Sequence, residues 1–160
     1  MISVPLTLSN YPTGFFDGTA QNMSGVCGFS IHLSNSHIYN GWMGIDPYTN
    51  NLSELVAVWL LLFWDRHLAL RELRIFGDSR VVIDCLNEKS AINAIHLSYW
   101  CTQIKQLTQL FPSLTFGHIY HEINMEVDAL SKRVIAFQTG WLYITEVRGG
   151  DYRQEDNIKL

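Results

Sequence analysis

The sequence predicts an α/β domain, a five-stranded mixed sheet with helices on both faces. Near the N-terminus, three short strand-like stretches follow one another across short turns, which implies an antiparallel meander. A long apolar helical stretch separates the third strand from a fourth, and two further helical stretches separate the fourth from a fifth. Such intervening helices require crossovers, and crossovers lay helices against a mixed sheet.

Residues 1–12 carry no charge, are framed by Pro5 and Pro12, and read as a leader or as the tail of a linker from a larger polyprotein. The first strand is expected over Thr13–Phe16, running into Asp17. Residues 18–25, rich in Gly, Asn, Ser and Thr, read as a turn. Val26–Leu33 and His37–Met43 read as the second and third strands, joined by Ser34-Asn35-Ser36. Asn51 makes a good N-cap for the long helix, with Glu54 three residues on at the spacing of a capping box. That helix should run to about His67; it is apolar nearly all the way round from Leu55 to Trp64, so burial on more than one side is expected.

Leu73–Phe76 reads as the fourth strand, ending at Gly77-Asp78-Ser79. Val81, Val82, Cys85 and Leu86 form one face of a short helix, and residues 89–95 a connector. Trp100, Ile104, Leu107 and Phe111 recur at helical spacing until Pro112 ends the helix. Leu114–Tyr120 is the fifth strand. Asn124 or its neighbours open a last helix whose stripe is Val127, Leu130, Val134, Phe137 and Trp141. Beyond Val147 the sequence turns polar, so a domain over residues 13–147 with a loose tail at 148–160 is expected.

A chain of 160 residues can bury a real core, and 48% apolar against 16% charged residues places it among folded globular proteins. The net charge is −4, with 11 Lys and Arg against 15 Asp and Glu. That argues against tight, autonomous binding to duplex nucleic acid. It leaves room for weaker binding through a few local Lys or Arg or through a partner domain. Cys27, Cys85 and Cys101 lie in apolar runs without zinc-type spacing. They read as buried free thiols of a reducing compartment, so an intracellular setting, cytoplasmic or nuclear, is expected. The longest apolar run, Leu55 to Trp64, is ten residues, half of what a membrane helix needs. No secretory signal is visible, and no membrane partner is expected.

Four acidic residues stand where elements start or end: Asp17 in Phe-Phe-Asp-Gly, Glu54 in Asn-Asn-Leu-Ser-Glu-Leu, Asp78 in Phe-Gly-Asp-Ser and Asp128 in Asn-Met-Glu-Val-Asp-Ala-Leu-Ser. If they converge, their repulsion must be neutralised, and divalent metal is the simplest means. Metal-assisted phosphodiester cleavage is the chemistry such a cluster suits. Each acid also has a plainer reading. Asp17 could start a turn, Glu54 could serve as the capping-box acid, Asp78 could cap the helix near Ser79, and Asp128 could pair on the surface with Lys132.

Phe16-Asp17-Gly18, Asn50-Asn51 with Glu54, Gly77-Asp78-Ser79, and Asn124 with Asp128-Ala129-Leu130 stand in an order and at separations that resemble a ribonuclease H type domain. The likeness is to the plant-type versions found in retroelements and in related free-standing proteins, and it covers roughly residues 13–137. No single piece is specific; together they are. The resemblance implies a strand order of 3-2-1-4-5, with Asp17 and Asp78 on neighbouring parallel strands. It implies that Asp17, Glu54, Asp78 and Asp128 hold two Mg2+ ions, with Mn2+ a possible substitute. The implied reaction cleaves the RNA strand of an RNA–DNA hybrid and leaves 5'-phosphate and 3'-hydroxyl ends, in a module beside a reverse transcriptase.

The resemblance further implies a mobile catalytic histidine at His118, ten residues before Asp128, with His121 as the alternative. It places Gly18, Thr19, Asn22 and Asn51 against the hybrid, where contact with the 2'-hydroxyl tells RNA from DNA. Ser79 and Asn124 take supporting roles near phosphate and metal, although Asn124 could equally cap the last helix. The chain departs from the family pattern at Val127, where Ala is usual, and at Asn22-Met23-Ser24-Gly25 in place of an Asn-Pro-Gly turn. It also lacks a basic protrusion over residues 89–100. The competing readings are a non-catalytic module of the same fold that binds nucleic acid or protein, and another nuclease or transferase on that fold.

Overall fold

The computed structural model describes residues 12–21, 24–46, 49–88, 95–120 and 139–160. The elements run β1 (Thr13–Gln21), β2 (Ser24–Ser34), β3 (His37–Ile45), α1 (Asn50–Leu68), β4 (Glu72–Gly77), α2 (Arg80–Leu86), α3 (Ile95–Thr108), β5 (Ser113–His118), β6 (Trp141–Arg148) and β7 (Asp151–Lys159). Among the described residues seven strands form one sheet, in the order β5-β4-β1-β2-β3-β6-β7. The meander β1-β2-β3 is antiparallel, and β4 and β5 add to it in parallel through helical crossovers. The inner five strands therefore stand in the expected order 3-2-1-4-5. The sheet is wider than five strands because β6 pairs with the outer edge of β3 and β7 with β6, both antiparallel.

Those last two strands correct two expectations. Residues 148–160 do not form a loose tail, since β7 occupies most of them. Trp141 does not close a helical stripe but opens β6. The turn between the two strands is Gly149-Gly150, both at positive φ (59° and 86°), a backbone that glycine adopts without steric cost and that matches strand twist in a two-residue hairpin. The hairpin is fastened to β3 by His37 Nε2, 2.7 Å from Glu146 Oε2. Hydrogen bonds from Tyr39 and then His37 hold the Glu146 carboxyl below its usual range.

Helix α1 forms the spine. Its N-cap is Thr49, whose Oγ1 accepts from the backbone nitrogen of Leu52 at 3.2 Å. Capping at Thr49 rather than Asn51 makes Glu54 the fifth helical residue, beyond the reach of a capping box, and so removes the capping reading of that acid. As the all-round apolar run implies, α1 is buried from Leu52 to Val58 and again from Leu60 to Leu62. Leu55 and Leu61 of α1 share one core with Phe16, Phe29, Ile75 and Ile144 of the sheet. On its outer side α1 meets α3, where Trp59 and Trp100 pack edge to face with centroids 6.1 Å apart.

Helix α3 stops at Thr108, earlier than the stripe through Phe111 implies; turns closed by Leu110 and Phe111 carry the chain to Pro112. The expected leader falls on residues 1–11, outside the described residues apart from Pro12, and the expected last helix falls largely on residues 121–138, also outside them. No helix among the described residues is long and apolar enough to cross a membrane.

Candidate metal centre

The parallel pairing of β1 and β4 sets the site. Phe15 pairs with Phe76 across that boundary, and two residues further along each strand direction lie Asp17 and Asp78. Asp17 sits within β1, opposite Gly28 of β2, rather than at the strand's end, so the turn-starting reading does not apply. Asp78 follows the last residue of β4, at the carboxyl end of the parallel strands, where α/β sheets usually place their ligands.

Two glycines bring the third acid in. A Cβ on Gly18 would lie 2.3 Å from the Ser53 carbonyl carbon and 2.6 Å from the Glu54 backbone nitrogen, so only glycine lets the first turns of α1 rest on β1. A Cβ on Gly77 would lie 2.3 Å from the Phe16 ring, which fills that space and holds the end of β4 against β1. The outcome is that one carboxylate oxygen each from Asp17, Glu54 and Asp78 lies within 4.8 Å of the others.

Asp17 and Glu54 are 3% and 6% exposed, so water does little to screen their repulsion. Burial first, then a hydrogen bond with Asp17 and the charges of Asp17 and Asp78, push the Glu54 carboxyl far above its usual range; the Gly18 backbone N–H donates to it and opposes that shift. A second Glu54 oxygen, Oε2, is buried without a hydrogen-bond partner. A tight set of hard oxygens, one of them orphaned, fits a hard divalent cation such as Mg2+ or Mn2+. Cys27 borders the cluster, but its Sγ donates to the Ser53 carbonyl at 3.1 Å. Burial and the charges of Glu54 and Asp17 keep it a thiol rather than a thiolate ligand.

His118 ends β5 and reaches the same place. Its Nε2 lies 3.1 Å from the Asp78 backbone oxygen, and its Nδ1 lies 3.4 Å from Arg80 Nη2. A guanidinium donates and never accepts, so Nδ1 is the acceptor and Nε2 carries the hydrogen given to the Asp78 carbonyl. Arg80 is a site residue that sequence reading missed. The signal available was its place two residues after Asp78, at the first turn of α2.

Ser79, not Asp78, is the N-cap of α2, its Oγ accepting from the Val82 backbone nitrogen at 3.4 Å. Asn51 lies in the first turn of α1 and is half-buried, and Thr19 lies in β1 two residues past Asp17. Asn22, His121, Asn124 and Asp128 lie outside the described residues.

A family model described as reverse transcriptase-like matches residues 15–134. Among solved structures, the chain is similar to RNase H1 of the halophilic archaeon Halobacterium salinarum NRC-1, with a TM-score of 0.72 at 22% identity, covering 76% of this chain and 95% of that one. It is similar to LC11-RNase H1 in complex with an RNA/DNA hybrid, with a TM-score of 0.67 at 21% identity, covering 77% and 95%; that enzyme was isolated from compost by a metagenomic approach. It is also similar to the N-terminal RNase H domain of a Mycobacterium tuberculosis protein, with a TM-score of 0.63 at 16% identity, covering 76% and 92%. No curated protein matches the chain. At these identities the structural likeness is one of fold.

Proposed function

Because the chain belongs to the reverse transcriptase-like family and has a ribonuclease H-like fold, we propose that it is a metal-dependent endonuclease that hydrolyses the RNA strand of RNA–DNA hybrids, leaving 5'-phosphate and 3'-hydroxyl ends. The observation that carries this reading is the convergence of Asp17 within β1, Glu54 of α1 and Asp78 just past the end of β4. Three buried or half-buried acids with oxygens within 4.8 Å of one another are tolerable only with a proton or a cation among them.

Asp17, Glu54 and Asp78 would hold Mg2+, or Mn2+ in its place, with Asp128 proposed as a further ligand of a two-ion site. Bound there, such ions supply charge neutralisation for an in-line phosphoryl displacement and activate the attacking water. The chain's own residues do the rest. Gly18 keeps Glu54 against Asp17, and the Asp78 carbonyl orients His118, which acts beside the reacting phosphate in positioning water or releasing product.

Gly18, Thr19, Asn22, Asn51, Ser79 and Asn124 are proposed to contact the hybrid. A partner reverse transcriptase module is consistent with the family, and an intracellular setting, cytoplasmic or nuclear, with three buried unpaired cysteines.

The net charge of −4 favours a second reading, a non-catalytic module on the same fold. Incubation with labelled RNA–DNA hybrid, duplex RNA and duplex DNA, in Mg2+ and in Mn2+, separates the two. Cleavage of hybrid alone, lost in Asp17→Asn, is the expected result. Absence of cleavage by folded protein would favour the binding module, and cutting of DNA would point to another nuclease on this fold.

A further inference from the structure

Two cysteines that stand 16 positions apart in sequence meet in the core: Cys85 Sγ of α2 lies 2.7 Å from Cys101 Sγ of α3. Both are buried, at 3% and 6% exposure. A thiol is a weak donor and a weak acceptor, so hydrogen bonding alone gives little reason for so close a meeting. A further approach of about 0.7 Å would reach the S–S bond length of about 2.05 Å. We propose that Cys85 and Cys101 are the site of a reversible intramolecular disulfide that staples α2 to α3.

The oxidant is a hydroperoxide. One thiolate attacks its O–O bond, becoming a sulfenic acid while the alcohol or water leaves. The neighbouring thiol then attacks that sulfur, the S–O bond breaks, water departs with the thiol's proton, and the S–S bond forms. Two thiols lose two electrons and two protons in all, and the hydroperoxide gains them. Burial and the adjacent Cys85 push the Cys101 thiol up to about 12, so little thiolate is present at neutral pH and the pair answers to sustained oxidant rather than to casual thiol exchange. Once one sulfur is oxidised, its partner captures it before further oxidation. Cys27 lies elsewhere in the core, donating to the Ser53 carbonyl, and stays single. The staple also bears on the acidic cluster, because α2 begins directly after its cap Ser79, the residue following Asp78. None of this depends on the chain being a nuclease.

The test is to treat the intact chain with hydrogen peroxide, quench, denature and count thiols. The count should fall from three to one. Peptide mapping should join Cys85 to Cys101 with the loss of two hydrogens, and dithiothreitol should reverse the change. The melting midpoint should rise by on the order of 10 °C, the effect of closing a loop of this length in a chain of this size. Cys85→Ser should abolish the bond and the shift, and Cys27→Ser should keep both. Three titratable thiols after oxidation, a cross-link through Cys27, or sulfinic acid in place of the bond would overturn the proposal. So would a bond that forms without raising the melting midpoint.

Discussion

Replacing Gly18 by alanine should disturb stability and metal binding together. The added carbon would sit 2.3 Å from the carbonyl carbon of Ser53, 2.5 Å from its oxygen and 2.6 Å from the backbone nitrogen of Glu54. All three are backbone atoms of α1, so no side-chain rotation relieves the clash. Carbon atoms rest at about 3.5 Å or more, so the start of α1 must retreat by about 1 Å. Overpacking of this kind costs roughly 1–3 kcal/mol, which in a chain of this size lowers the melting midpoint by about 2–12 °C. The same retreat carries the Glu54 carboxylate away from Asp17 and Asp78. Mg2+ affinity should fall, and any hydrolytic rate should drop on the order of 100-fold, the usual effect of an error of about 1 Å at a reacting centre. Thermal melts with and without Mg2+, titration calorimetry and the hybrid-cleavage assay read the three effects. A Gly18→Ala protein that melts with its parent and binds Mg2+ equally well would refute the close-approach argument.

Asp17→Asn and Asp78→Asn should each abolish Mg2+ binding by calorimetry; retained binding in both would dissolve the metal centre. The Glu54 carboxyl, held far above its usual range when folded, contributes stability that is full below its unfolded value and is lost as pH rises toward its folded one. Near pH 7 His32, held down to about 4 by burial, adds a small opposing slope as its unfolded form loses its remaining charge, while Cys27 and Cys101, both raised by burial, add to the fall toward pH 9 as their unfolded thiols ionise. Between pH 7 and 9 Glu54 alone should therefore cost metal-free protein up to about 1.4 kcal/mol per pH unit. Mg2+ should flatten the loss, and a metal-free midpoint that does not fall from pH 7 to 9 would count against the crowded-acid description. His118→Ala should lower turnover by more than it changes metal affinity, and Arg80→Ala should lower turnover by less than His118→Ala does; steady-state kinetics beside calorimetry decide both. Gly150→Val, at a backbone φ of 86°, should cost about 1–3 kcal/mol of local strain and hasten proteolysis of the C-terminal hairpin, while leaving cleavage rates at the distant acidic cluster unchanged.

What was legible in the sequence was what local chemistry writes locally. Short alternating stretches around Ser34-Asn35-Ser36 gave the meander, and the all-round apolar Leu55–Trp64 gave a doubly buried helix. The cap of α1 slipped because Thr49, Asn50 and Asn51 are three adjacent residues of capping type, and only the fold decides among them. β1 outran its expected end because Asp17 and Gly18 look like turn residues, yet Gly18 is there for the approach of α1. The terminal hairpin hid behind its own polarity: β7 is an edge strand, so it needs no apolar face, and the Gly149-Gly150 signal was outweighed by charge. The contacts of Arg80 with His118 and of Cys85 with Cys101 join residues 38 and 16 positions apart, and no periodicity records such meetings.

The β6–β7 ribbon lies beyond residue 134, where the family match stops. Without it, β3 would be the sheet's outer boundary, and β3 carries Tyr39, Trp42 and Met43 on a strand whose outer backbone donors and acceptors would then be open to any passing strand. With it, the boundary shifts to Asp151–Lys159, a stretch dense in charges of both signs that discourages lateral growth. Trimming the chain to the length its relatives suggest would strip away this shield, and the shortened protein should self-associate into particles visible by light scattering even with every acidic ligand intact.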